Sequence, residues 1–145
     1  MPETQPAGLA VETIIRARYA ETDAMGVVHH ASYITWLEEG RTELFRALGL
    51  PYLQIEAAGY FVMLTDLHVR YLAAARYDDR VVVRAELAEV RSRQIVFAYA
   101  LHHADTGAAL LTARSEHVLV ARATGRPARM PPAMLAIIER ALRAP

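Results

Sequence analysis

Within the run TDAMGVVHHAS, residues 22–32, an aspartate, a glycine and two histidines stand close together: Asp23, Gly26, His29 and His30. A helix-forming pattern begins directly after them, at Ala31 or Ser32. The first N–H groups of a helix have no partners inside it and carry the positive end of its dipole. A carboxylate beside such groups suits carbonyl chemistry, in which the acid attacks or activates water and the N–H groups receive the oxyanion. Asp23 is the candidate carboxylate, and the N–H groups from His30 through Ala31 to Ser32 are the candidate donors. A local reading competes with this one, because an aspartate in a glycine-containing loop commonly closes a turn with its own side chain. On the residues alone, the turn is the stronger reading.

The histidines raise a second possibility, a metal site. His29–His30 and His102–His103 are adjacent pairs, and neighbours on an extended chain point to opposite faces, so neither pair is placed to grip one ion. There is no cysteine and no His-x-x-x-His spacing, and no metal is expected. His30 is left to polarise or position a substrate, or to serve structure. His68 and His117 read as sheet residues. Glu38 and Glu39 lie in the helix and read as solvated or arginine-paired side chains.

The elements that must position these residues follow from periodicity. Val11 to Tyr19 alternates as a half-buried strand. Tyr33, Trp36, Leu37, Gly40, Leu44 and Leu48 recur at helical spacing, so the long helix runs from Ala31 or Ser32 to about Leu48. Gly49 and Pro51 end it. Gly40 inside it implies close backbone packing. A short helical turn precedes Gly59, and four strand-like runs follow: Tyr60–Leu72, Arg80–Val90, Gln94–His103 and Leu110–Arg122. In the first, Phe61, Met63, Thr65, Leu67, Val69 and Tyr71 are expected to share a face. Arg76–Asp79 and Asp105–Gly107 read as turns. Arginine and glutamate recurring on one face of several strands imply ion pairs on a solvated surface. MPPAMLAIIERALRAP closes the chain as an amphipathic helix.

This order predicts an α+β domain, a five-stranded antiparallel sheet with one long helix on one face. Residues 1–10 form a flexible lead-in, 11–125 the domain, and 126–145 a helical tail. One helix cannot cover such a sheet, so self-association is expected to bury the remainder.

Composition narrows the function classes. The 145 residues, 54% hydrophobic and 22% charged, suffice for one domain with a real core. Formal net charge is zero, which argues against nucleic acid and anionic membrane as partners. All sixteen basic residues are arginine. No apolar run reaches the roughly 18 residues that span a bilayer, so no membrane insertion is expected. MPETQPAGLAVET lacks the basic start and apolar core of a secretory signal, making the cytoplasm the expected compartment.

The run TDAMGVVHHASYITWLEEGRTELF resembles the signature of hotdog-fold thioesterases of the 4-hydroxybenzoyl-CoA and YbgC type. These share an Asp-x-x-Gly-x-Val core, then an aromatic or histidine, then a tyrosine just inside the central helix; here Asp23, Gly26, Val28, His30 and Tyr33. The likeness continues through FVMLTDLHVRYLAAARYDDRV and covers about Val11 to Arg122. It implies a sheet wrapped around a central helix, a homodimer or homotetramer with its site at the dimer interface, and hydrolysis of an acyl-CoA without a cofactor. By position, Asp23 resembles the catalytic carboxylate, the N–H near His30 the oxyanion donor, and Tyr33 a residue that orders the loop. Arg91 and Arg93 resemble the basic turn that meets the nucleotide of coenzyme A. Gly26, Ala31, Tyr33 and Met63 complete the expected substrate-binding set. Two other readings stand beside hydrolysis: a hotdog dehydratase or hydratase acting on acyl thioesters, and a non-catalytic acyl-CoA binding module. The Asp23 loop lacks the Asp-x-x-x-x-His arrangement of the former.

Overall fold

A computed structural model of the chain describes residues 9–143. Residues 1–8 of the expected lead-in and 144–145 of the tail lie outside the described residues. Strand β1 (Ala10–Arg16) leads through a short 3-10 turn (Tyr19–Glu21) and a loop to helix α1 (Ser32–Ala47) and helix α2 (Tyr52–Ala57). Four strands follow, β2 (Tyr60–Tyr71), β3 (Arg80–Val90), β4 (Gln94–His103) and β5 (Ala109–Ala121), then helix α3 (Pro132–Arg143). The sheet order is β1-β3-β4-β5-β2, with every neighbouring pair antiparallel. The expected α+β arrangement, a five-stranded antiparallel sheet around one long helix, is the one found. No helix among the described residues is long and apolar enough to cross a membrane.

Helix α1 buries Tyr33, Trp36, Leu37, Gly40 and Leu44 of the predicted stripe, together with Phe45, while Leu48, the last of that stripe, caps the helix and is only half-buried. It packs against β1 and β3. Gly40 marks the closest approach, where a Cβ would stand 2.7 Å from Val83 Cγ1. The helix ends where Gly49 turns left-handed at φ +78°, a conformation that side chains resist, and Leu50 N–H folds back onto Phe45 O at 3.0 Å.

Two expectations are corrected. Strand β1 stops at Arg16 rather than reaching Tyr19, because the Glu21 carboxylate accepts the Arg18 N–H at 2.8 Å and closes the chain into the 3-10 turn. On β2, Phe61, Met63 and Thr65 do not share a face with Leu67, Val69 and Tyr71. A bulge between Leu64 and Asp66 inserts one residue and reverses the alternation. Before it, Val62 and Leu64 face inward, opposite buried Leu119 and His117; after it, Leu67, Val69 and Tyr71 do.

The ion pairs expected on the solvated face form along strands as well as across them. Arg84 Nη1 meets Glu86 on its own strand at 2.8 Å, while Arg114 Nη2 reaches Glu89 at 3.6 Å. Because α1 lies towards β1, the β2 half of the sheet has the thinner cover. Strand β2 is also an edge, and it leaves Phe61, Met63 and Leu64 exposed.

Candidate active site

The loop from Thr22 to Ala31 is stitched to its surroundings at both ends. Thr22 pairs with Val28, His29 N–H donates to Glu21 O at 2.8 Å, and Val28 N–H donates to Ala75 O at 2.8 Å. Glu21 anchors the assembly from beneath. It is buried, and its carboxylate accepts the Trp36 indole N–H at 2.7 Å and the Arg18 N–H at 2.8 Å. Burial alone would raise its pKa; the hydrogen bonds from Arg18 and Trp36, with the Arg18 charge, overcome that and hold it below the usual carboxylate value.

Asp23 plays the turn role that local sequence favoured. Its Oδ1 accepts the Met25 N–H at 2.8 Å, its carbonyl accepts the Gly26 N–H at 3.1 Å, and Gly26 sits at φ +78°. The turn engages only one carboxylate oxygen. Among the described residues nothing donates to Oδ2, so closing the turn and meeting a substrate do not compete.

The two adjacent histidines depart from the expected geometry. Their segment is a turn rather than a strand, and the rings stack with centroids 4.2 Å apart instead of pointing to opposite faces. Among the described residues no three metal-ligating side chains come together. His29 instead shapes the helix start. Its Nδ1 accepts the Ala31 N–H at 3.1 Å and its carbonyl accepts the Ser32 N–H at 2.9 Å. Of the three donors expected at this helix start, two are therefore engaged. The His30 N–H has no acceptor among the described residues, while its carbonyl accepts the Tyr71 hydroxyl at 2.7 Å.

Tyr33 ties the helix start to the segment after β2. Its hydroxyl accepts the Ala75 N–H at 2.9 Å, and its ring meets Trp36 and Tyr71 edge-on at 5.1 and 5.7 Å. Burial raises the Tyr33 pKa despite that hydrogen bond, so the phenol stays protonated.

These groups border a mostly apolar cavity of about 310 Å³. Asp23, His30 and Tyr33 line it with Met25, Val28 and Tyr71, and the run Leu72–Ala74 closes it. Gly26 and Ala31 shape the adjoining backbone without lining the cavity. Met63 stands on the opposite sheet face, beside Val118 rather than His117 or Leu119. Arg91 and Arg93 belong to the β3–β4 turn, which sits by the Val118 end of β5, whereas Tyr71 pairs with Leu111 at the other end. Within one protomer, neither arginine joins the cavity.

Sequence reasoning missed Tyr71 and the Leu72–Ala74 wall as site residues, and the buried role of Glu21. The signal for the wall was a run of small apolar residues, LAAA, where a turn would normally carry polar ones. For Glu21 no signal distinguishes it from a surface glutamate, since its partner Trp36 is fifteen residues on.

Comparison with known proteins gives the family and the fold. Residues 17–138 match the model of the thioesterase-like superfamily. A putative acyl-CoA thioesterase of Bacillus subtilis, YneP, is 33% identical over 113 residues, 78% of this chain and 81% of that protein. The acyl-CoA thioester hydrolase YbgC of Escherichia coli O157:H7 is 33% identical over 91 residues, 63% of this chain and 68% of that protein. The crystal structure of a DHNA-CoA thioesterase from Staphylococcus aureus superposes with a TM-score of 0.86 at 30% identity, covering 90% of this chain and 89% of that one. With its hotdog fold, this chain belongs to the thioesterase-like superfamily, and it is an enzyme of that family.

Proposed function

We propose that the protein hydrolyses acyl-CoA thioesters to a free acid and coenzyme A, with Asp23 supplying the base or nucleophile. The observation that carries this is the meeting of Asp23, with one oxygen unengaged, and the free His30 N–H at one apolar cavity. As general base, Asp23 takes a proton from water as the water oxygen attacks the thioester carbon. The carbonyl oxygen becomes an oxyanion that accepts the His30 N–H, and collapse breaks the C–S bond and releases the thiolate, which is then protonated. As nucleophile, Asp23 first forms a mixed anhydride and expels the same thiolate, and water then cleaves the anhydride. Both routes need the same residues and no cofactor. The His30 ring, exposed at the cavity mouth, positions the substrate.

Self-association completes the site in this reading. The free β2 edge, with apolar Phe61, Met63 and Leu64 exposed, is suited to pairing with its own copy as a homodimer, and a tetramer would bring Arg91 and Arg93 of another protomer towards the coenzyme A phosphates.

The test is thiol release from a panel of acyl-CoA thioesters by the wild type and Asp23→Asn. The asparagine side chain keeps the Oδ1 contact to Met25 but lacks the charge, so turnover falls at least about 100-fold with the fold unchanged. Wild-type turnover in that variant would remove Asp23 from the chemistry. Water addition to an enoyl thioester without thiol release would instead favour the hydratase reading, and tight acyl-CoA binding with no turnover the binding module.

A further inference from the structure

A second cavity, of about 240 Å³, opens between α1, α2 and β2, lined by Glu38, Arg41, Thr42, Phe45, Tyr52 and Val62. Its floor carries a polar chain unlike anything else in the core. Arg41 Nη1 donates to the Tyr99 hydroxyl at 3.0 Å, which meets Ser115 Oγ at 2.7 Å, which meets His117 Nε2 at 2.9 Å. A guanidinium only donates, so the chain is satisfied when the Tyr99 O–H donates to Ser115 Oγ and the Ser115 O–H donates to His117 Nε2, each group keeping its proton. Every acceptor Arg41 meets is therefore neutral. Among the described residues it makes no ion pair and no other hydrogen bond, although it is half-buried. Its planar donor set is held against a cavity walled by Phe45, Tyr52 and Val62.

We infer that this cavity receives the far end of the acyl group and that Arg41 selects thioesters whose acyl chain ends in a carboxylate. The inference rests on the thioesterase reading. Its geometry follows from the two ends of β2. Tyr71 at one end touches the helix start through His30, and Val62 at the other donates its N–H to Tyr52 at 3.3 Å beside the Arg41 cavity. Antiparallel pairing of the β2 edge with its copy sets the Tyr71 end of one protomer against the Val62 end of the other. A thioester held at Asp23 then extends its acyl chain towards the partner's cavity. Apolar walls suit the methylenes, and the guanidinium suits a terminal carboxylate through paired, charge-assisted hydrogen bonds. Glu38, exposed on the rim three residues before Arg41, opposes that carboxylate and sets how strong the preference is. Thr42 does not compete, since its hydroxyl is spent on Glu38 O at 2.9 Å.

The experiment compares adipyl-CoA with hexanoyl-CoA, which differ in the terminal carboxylate. Wild-type kcat/KM is expected to favour adipyl-CoA by about tenfold or more. Arg41→Met brings the ratio to one or below, Arg41→Lys leaves part of it, and Glu38→Gln widens it. A wild type indifferent to the carboxylate, or an Arg41→Met protein that keeps the ratio, overturns the inference while leaving thioester hydrolysis standing. If neither thioester released thiol, turnover could not read the preference, and the thioesterase reading would fall only if the whole acyl-CoA panel were likewise inert. Calorimetry on wild-type protein with the two ketone analogues, a methylene replacing sulfur, then decides the cavity: tighter binding of the carboxylate analogue upholds it, and equal binding overturns it. This arm also covers an Arg41→Met protein that fails to fold.

Discussion

Tyr71, at the end of the edge strand, donates its hydroxyl proton to the carbonyl of His30 at 2.7 Å, the residue whose N–H is free at the cavity. The peptide unit that carries the candidate oxyanion donor is thereby tied to β2. A hydrogen bond at this partly exposed position contributes about 1 kcal/mol to stability. Tyr71→Phe keeps the ring against Tyr33 and deletes only the hydroxyl. The expected result is a drop in kcat of about threefold to tenfold with KM little changed, since a loosened helix start affects the oxyanion more than the bound thioester. Steady-state kinetics, with a thermal melt lowered by only a few degrees, checks this.

Glu21 and Trp36 form the buried counterpart of that tie. Glu21→Gln keeps the shape but must turn an NH2 group towards either the Trp36 indole N–H or the Arg18 N–H, leaving donor facing donor. The expected loss is about 1–3 kcal/mol in denaturant unfolding, with the α1 start loosened and turnover reduced. Trp36→Phe removes the only donor that the described residues give the second Glu21 oxygen and opens space in the core, so it is expected to cost at least as much as Glu21→Gln.

How far these relationships were legible beforehand varies with their range in sequence. Helix α1 was readable because Tyr33, Trp36, Leu37, Gly40 and Leu44 repeat with the helical period, and Gly40 announced close packing before Val83 was known to be its neighbour. Asp23, Gly26, His30 and Tyr33 were readable through their local spacing. What was hidden depends on register. The Thr65 bulge puts Met63 on the outer face, and no periodicity marks an inserted residue after Tyr60–Leu64, a stretch apolar at every position. The stacking of His29 on His30 was hidden because it follows from the turn, not from the residue types. Arg41, Tyr99, Ser115 and His117 come from three elements and meet only once β4 and β5 are paired beneath α1.

His117 makes stability depend on pH. Burial, reinforced by the Arg41 charge, lowers its pKa from 6.5 to about 4, and its Nδ1 has no partner among the described residues. The unfolded chain takes up this proton near the ordinary value and the folded protein only near the lowered one. Between those pH values the unfolded state holds more protons, so stability falls as the solution is acidified and levels off once both states are protonated. This group alone is expected to remove about 2 kcal/mol between pH 7 and pH 5. Denaturant titrations at those two pH values, on wild type and His117→Gln, isolate it. The glutamine retains an acceptor for Ser115 but does not titrate, so the variant should show the smaller pH dependence by about that amount.

Gly40 offers the sharpest test of the packing. Alanine is the better helix former by about 1 kcal/mol, so on propensity alone Gly40→Ala should stabilise the protein. Its methyl would lie 2.7 Å from Val83 Cγ1, and Val83 is fully buried. Overpacking of this kind costs about 1–3 kcal/mol. The net expectation is destabilisation of about 1–2 kcal/mol, read from denaturant midpoints at constant slope. Val83→Ala removes the colliding methyl groups, so Gly40→Ala should cost less in that background, with a coupling of about 1 kcal/mol or more in the double-mutant cycle. Additive effects would mean that α1 and β3 do not meet at these two residues, and the placement of the helix over the β1 side of the sheet, which leaves the β2 side open for the site, would have to be redrawn.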